Sequence, residues 1–369
     1  MSVYLDHAAT TPMRSEAVEA FVEQATIVGN PASLHRPGQR ARSALEEARE
    51  ELAAAVGAHP SEVIFTSGGS EADSIAILGG WSARRADRGR VVISAVEHPA
   101  VAGAVERGAE VIPVTATGVV DVEAAAELID ERVGVVSVMA VNNETGVVQP
   151  VEAVRKLAVR AGAWMHSDAV QALGHLPVDF RQSGLDLMSL SAHKVGGPVG
   201  IGALLARRSV APAAIGLGGG QERGVRSGTN AVALAASFAR AARLAVEELE
   251  AEAARLRALK PRVEAASTAA GGRLNSAVDG APHIVNATFD GIKADALLFL
   301  LDQRGVHASV GSACRAGVHQ PSEVLLAMGR TADEAAQSLR FSLGRTTTAA
   351  DIERFEEVLS LAVEQARNV

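Results

Sequence analysis

Apolar and polar positions follow two rhythms along the chain. In RSALEEAREELAAAVG, Leu45, Ala48, Leu52 and Val56 fall on one face of a helix, with Glu and Arg on the other and Gly57 placed as its stop. Short β-branched runs then recur at 63–66, 91–94, 111–114, 133–139, 164–167, 187–191 and 201–206. Several are apolar at nearly every position, as strands buried on both faces require. With helical stretches between many of them, the pattern predicts an α/β fold with a mostly parallel seven-stranded sheet covered by helices on both sides.

An Ala, Glu, Leu and Arg stretch over 233–266 predicts one or two helices that leave the sheet layer and marks a candidate domain boundary. Beyond it come a strand-like run at 284–289, a helix-like run at 294–304, a loop with Cys314, and a strand-like run at 338–343. Thr348 with Asp351 three residues on is a capping-box variant, and Ile352, Phe355, Val358 and Leu359 follow at helical spacing. The expectation is a large domain over 13–250 and a smaller α+β domain formed by 1–12 and 251–369.

Composition narrows the function. At 369 residues, 48% hydrophobic and 21% charged, the chain has ample apolar content for packed cores. A net charge of -8 argues against a phosphate backbone as partner, so nucleic acid is not expected. MSVYLDHAATTP does not read as a leader, and no apolar run approaches membrane-span length, so a cytoplasmic protein without membrane attachment is expected. The single cysteine, Cys314, has no partner for an intrachain disulfide. It is either a small buried core residue or a reactive thiol kept reduced.

Three constellations carry candidate chemistry. LSAHKVGGPVGIG puts Lys194 after an apolar strand and before a glycine-rich turn. It is either an exposed loop lysine or one desolvated at a strand end, where a lowered pKa favours Schiff-base formation and Ser191 and His193 supply phosphate donors. FTSGGSEAD runs from strand to helix through a small-residue turn, which serves either as a plain connection or as a phosphate site using free amides at the helix start. In HSDAVQ, Asp168 either caps the next helix or, in a pyridoxal-phosphate enzyme, keeps the pyridine nitrogen protonated.

These motifs stand in order with YLDHAATTP, GNPASLH, VEHPAV, VNNETGVVQP, GGGQERGVRSGTN, GSACRAG and LRFSLGR. Over nearly its whole length the chain resembles the cysteine desulfurases of the NifS/IscS class, among the fold-type I pyridoxal-phosphate enzymes. The resemblance implies that Lys194 binds pyridoxal 5'-phosphate covalently and moves the substrate α-proton. Asp168 would pair with the ring nitrogen, Gln171 would donate to the ring hydroxyl, and His98 would stack on the ring and assist proton transfer. Gly69, Ser70, Ser191 and His193 would hold the phosphate. Thr229 would reach the phosphate in a partner subunit, which implies a homodimer with shared sites. Asn143 would lie beside ring and substrate, while Asn30 and Arg340 would bind the substrate carboxylate. Cys314 would take sulfur from L-cysteine as a persulfide, leaving alanine, and pass it to an acceptor such as an iron-sulfur scaffold protein. No metal is implied.

Taken alone, His98 also reads as a structural histidine and Arg340 as half of a structural salt bridge. Ser70 and Ser74 stand where many relatives have threonine and asparagine. A selenocysteine lyase, another fold-type I enzyme, or a non-catalytic sulfur-handling scaffold are the competing functions, separated by the substrate accepted and by whether cofactor binds.

Overall fold

The computed structural model describes residues 2–276, 279–311 and 321–367. Seven strands form one sheet in the spatial order Val63–Thr66, Gly202–Ala206, Leu187–Ser191, Trp164–Asp168, Val133–Ser137, Arg90–Ser94 and Glu110–Ile112. All neighbours pair in parallel except Gly202–Ala206, which runs antiparallel to both of its partners. Val63–Thr66, Val133–Ser137, Leu187–Ser191 and Gly202–Ala206 are buried at every position, which explains their lack of charge and largely apolar runs. The run expected at 111–114 stops at Ile112, because Pro113 has no N–H for the ladder.

Helix Arg36–Ala55 buries Leu45, Ala48 and Leu52, and His35 caps it by accepting from the Gly38 amide. It packs on Val232–Glu247, the first of two helices that fill the stretch expected at 233–266; the second is Leu249–Ala269. The outer edge of Val63–Thr66 is closed by side chains instead of an eighth strand. Phe65 N donates to Glu222 Oε2 (2.8 Å), and Arg49 Nη1 donates to the Val63 carbonyl (2.8 Å). Arg49 and Glu222 pair through both guanidinium nitrogens at 2.8 Å, and Asn230 Nδ2 adds a bond of 2.6 Å to Glu222 Oε1. Glu222 and Arg223 hold this arrangement with φ of 48° and 61°, a region that side chains other than glycine seldom occupy.

A second apolar cluster gathers Val3 and Leu5 with residues from Leu256 to Val363. Its antiparallel sheet has the order Ser338–Ser342, Ile284–Thr288, Arg273–Leu274, and Val3–Tyr4 pairs in parallel with Val306–His307 beside it. The last helix, Ala349–Arg367, opens with the expected reciprocal bonds between Thr348 and Asp351, and Ile352, Phe355, Val358 and Leu359 are buried. Among the described residues no helix is long and apolar enough to cross a membrane.

Candidate active site

The carboxyl ends of the parallel strands converge on one cavity of about 340 Å³, within the size range of small-molecule sites. Asp168 ends its strand there, and Lys194 follows Leu187–Ser191 by three residues. Gly69 and Ser70 open the helix after Val63–Thr66. His98, Asn143, Gln171, Ser191, His193 and Arg340 also line the walls. The chain folds this way locally because small residues allow close approach. A Cβ on Gly202 would lie 2.6 Å from the Gly68 carbonyl carbon, and one on Gly69 would lie 2.9 Å from Val170 Cγ2.

Lys194 is half-buried, and its ammonium donates to the carbonyls of Ala8 (2.5 Å) and Ala9 (2.7 Å). Burial, and then the Arg340 charge, pull its pKa down to about 8, against the opposing pull of Asp168 and Asp6. At neutral pH roughly a tenth of such amines are neutral and nucleophilic. Asp168 is buried, which raises its pKa, while the Val170 amide bond (2.8 Å), His98 and Lys194 favour its anion. It accepts this bond in a turn, faces the cavity and caps no helix, since the next one, Phe180–Ser183, is capped by Asp179.

His98 accepts from the Ala100 amide through Nδ1 (3.2 Å), so in its neutral form the proton sits on Nε2. Burial lowers its pKa. His193 lies 3.3 Å from Thr10 Oγ1 and is lowered to about 4 by burial and by Lys194. Gln171 donates from Nε2 to the Ala8 carbonyl (2.9 Å). Arg340 is 3% exposed; Nη2 binds Asp6 Oδ1 (2.7 Å), Nη1 binds the Asn143 carbonyl (2.8 Å), and Nε is buried without a partner among the described residues. The structural salt bridge is thus present, on a residue that also lines the cavity.

Two expected residues lie elsewhere. Asn30 is exposed and off the cavity wall, because its Oδ1 accepts from the Ala32 amide (2.9 Å) in a turn ahead of helix Arg36–Ala55. Thr229 is likewise exposed and off the wall of its own chain's cavity, next to Asn230, which donates to Glu222 at the edge of strand Val63–Thr66. Cys314 lies outside the described residues. Gly311, three positions before it, is on the cavity wall.

Several participants carried no assignment from the sequence. Asp73 lines the cavity, fully buried, with Oδ1 3.7 Å from His166 Nε2; burial and then Asp168 push its pKa well up. Glu97 is raised to about 7, foremost by burial, and accepts from Ser94 Oγ (2.6 Å) and the Met139 amide (2.7 Å). Glu144 accepts from Ser322 Oγ at 2.5 Å. Asp6, Asp73, Glu97 and Glu144 each sit inside a motif quoted above, so their position beside assigned residues was the available signal. This donor set suits pyridoxal 5'-phosphate: a desolvated amine for its carbonyl, a buried acid for its ring nitrogen, and a small-residue turn with Ser191 for its phosphate.

The chain belongs to the class-V aminotransferase family, whose model matches residues 3–355. Its relatives place it with the IscS and NifS cysteine desulfurases. The IscS-like cysteine desulfurase of Mycobacterium tuberculosis is 48% identical, covering 99% of this chain and 97% of that protein. The NifS cysteine desulfurase of Azotobacter vinelandii is 40% identical over 100% of this chain and 94% of its own. Among solved structures, a NifS-like protein superposes with a TM-score of 0.92 at 32% identity, covering 99% of this chain and 100% of that one. A structure described as SspA in complex with cysteine matches with a TM-score of 0.81 at 32% identity, over 93% of this chain and 99% of that one.

Proposed function

We propose that this chain removes sulfur from L-cysteine using pyridoxal 5'-phosphate held by Lys194 in the cavity, and that Cys314 accepts the sulfur. The observation that carries the reading is a desolvated lysine and a buried aspartate at adjacent strand ends of one cavity, in a chain whose relatives are cysteine desulfurases. When bound, the cofactor supplies an electron sink for the carbanion left by α-proton removal. Asp168 keeps a proton on the ring nitrogen. Gln171 donates to the ring hydroxyl, His98 covers the ring, and Gly69, Ser70, Ser191 and His193 hold the phosphate. Arg340, braced by Asp6, holds the substrate carboxylate beside Asn143. The amine of Lys194, once free of the carbonyls of Ala8 and Ala9, takes the α-proton.

The thiolate of Cys314 attacks the substrate sulfur and the carbon-sulfur bond breaks with its electron pair left on the substrate; one proton goes to the β-carbon and Lys194 returns the other to the α-carbon, giving alanine and a persulfide on Cys314. Thr229, placed away from its own cavity, completes the phosphate site of a second copy, so the working form is a homodimer. Residues 13–250 act as the large domain and 1–12 with 251–369 as the small one. The sulfur goes to an acceptor protein of the iron-sulfur scaffold class in the cytoplasm.

Mass spectrometry after incubation with L-cysteine tests this. A gain of ~32 Da on the peptide holding Cys314, with one alanine released per adduct, is the expected result. Alanine without an adduct on Cys314 would remove that residue from the mechanism. Turnover of selenocysteine but not cysteine would make the protein a selenocysteine lyase.

A further inference from the structure

His283 immediately precedes strand Ile284–Thr288 and is 1% exposed. Its Nε2 lies 3.2 Å from Gln171 Oε1. The other end of that amide decides where the protons are. Gln171 Nε2 lies 2.9 Å from the Ala8 carbonyl, which only accepts, so the amide nitrogen faces Ala8 and the amide oxygen faces the imidazole. An amide oxygen cannot donate, so His283 Nε2 carries the hydrogen of their bond. His283 Nδ1, buried and without a partner among the described residues, is then the bare nitrogen of a neutral ring. The surroundings hold it neutral: the His175 ring stacks at 3.6 Å and 17°, and burial, His175, Lys260 and Arg340 keep the pKa well below the ordinary histidine value.

Half a turn of the Gln171 amide changes its shape little and its chemistry completely. Flipped, its oxygen would meet the Ala8 carbonyl, a repulsive contact in place of a bond, and its NH2 would meet His283 Nε2, which could accept only after the ring proton had moved to Nδ1. The Ala8 carbonyl therefore selects one orientation, and the His283 N–H holds the oxygen end of the amide in it. One amide hydrogen goes to Ala8, and the second remains for a group in the cavity that Gln171 lines.

We propose that His283 is a positioning residue that locks the Gln171 amide so that an N–H, and not the amide oxygen, meets the ring hydroxyl of the cofactor. This rests on the reading of Gln171 as donor to that hydroxyl. A donor at the ring oxygen stabilises its anion, which lowers the pH at which the bound chromophore loses its proton. Releasing the amide raises that pH.

The test is a pH titration of the visible absorption of the full-length protein loaded with pyridoxal 5'-phosphate. His283→Phe keeps the stack on His175 and removes the N–H. Its midpoint is expected to rise by about one pH unit, the tenfold change in proton affinity that loss of one ordinary hydrogen bond gives. Gln171→Leu should rise as far, and the double variant no further than Gln171→Leu. His283→Gln, whose amide nitrogen can replace Nε2, should return most of the way to the parent value. If His283→Phe does not fold, His283→Asn, too short to reach Gln171, takes its place with the same expected rise. An unshifted His283 variant beside a shifted Gln171→Leu overturns the role of His283 and leaves that of Gln171 standing. An unshifted Gln171→Leu overturns both.

Discussion

Replacing Glu222 with leucine is the most informative perturbation of the sheet. The carboxylate is 2% exposed in its side chain and Arg49 is 11% exposed, so neither charge has water to fall back on. Without Glu222, the Arg49 guanidinium keeps its bond to the Val63 carbonyl and its place 4.9 Å from the Phe65 ring centroid, but loses the buried counter-charge. With only the half-exposed Glu46 left to face it, at 3.2 Å from Nε, the loss costs up to about 3–5 kcal/mol. The Phe65 amide also loses its acceptor, which costs a further 1–3 kcal/mol or so if water does not reach it. Arg49→Leu should cost about 3 kcal/mol, because the stranded Glu222 retains the bonds from Phe65 and Asn230. The double variant removes both charges, so its cost should fall below the sum of the two by about 2–4 kcal/mol. Equilibrium urea unfolding of the loaded enzyme, followed by tryptophan fluorescence, measures all four corners of the cycle. Additive costs, or a Glu222→Leu cost under about 1 kcal/mol, would refute the reasoning that this pair closes the sheet edge.

Three further outcomes follow from the site. His175 has its pKa lowered to about 4 by burial, so it contributes stability that is complete above about pH 6.5 and lost as pH falls through 4, where the unfolded chain binds a proton that the folded chain refuses. His175→Phe should therefore lose about 3 kcal/mol less than the parent between those limits, read from unfolding midpoints at each pH; identical pH profiles would deny the buried neutral state. Lys194→Ala should abolish covalent cofactor attachment, seen as loss of the borohydride-fixed adduct, and cut turnover by about 10³-fold or more; retained attachment would locate the Schiff base elsewhere. Arg340→Lys keeps a positive charge but cannot bind Asp6, the Asn143 carbonyl and a substrate carboxylate together. KM for L-cysteine should rise about tenfold, and an unchanged KM would assign Arg340 to the salt bridge with Asp6 alone.

The sheet was legible because its strands are buried on both faces, so Val63–Thr66 and Val133–Ser137 appear in the sequence as short runs rich in β-branched residues with almost no charge. Strand direction was not legible: GALLA in the antiparallel Gly202–Ala206 has the same apolar character as its parallel neighbours, and only pairing distinguishes them. Val3–Tyr4 and Val306–His307 are too short to show any period. Within the site, Lys194 and Asp168 were readable from their places at strand ends. Asp73 and Glu97 were not, since a carboxylate in a motif gives no sign that folding will bury it. Asn30 and Thr229 mark a different limit, because a motif carries no information on whether its side chain turns toward its own cavity, into a local turn, or toward another copy.

The bonds from Lys194 to Ala8 and Ala9 also bear on how the protein is made. The segment holding those carbonyls is anchored by pairing of Val3–Tyr4 with Val306–His307 and by a bridge from Asp6 to Ser342, some 300 residues downstream. A ribosome that has released residue 206 has supplied every strand of the large sheet, with the Gln171, His193 and Gly196 contacts to residues 8–14, but not the partners that anchor Val3–Tyr4 and Asp6. The segment that holds the lysine's carbonyl partners is therefore anchored from one side alone until residues 306 and 342 have emerged, and Ser309, Gly311 and Arg340 complete the cavity wall only then. A nascent chain stalled before residue 306 should accordingly hold a formed sheet and an open cavity lacking its last wall, so that firm cofactor capture follows the completion of synthesis.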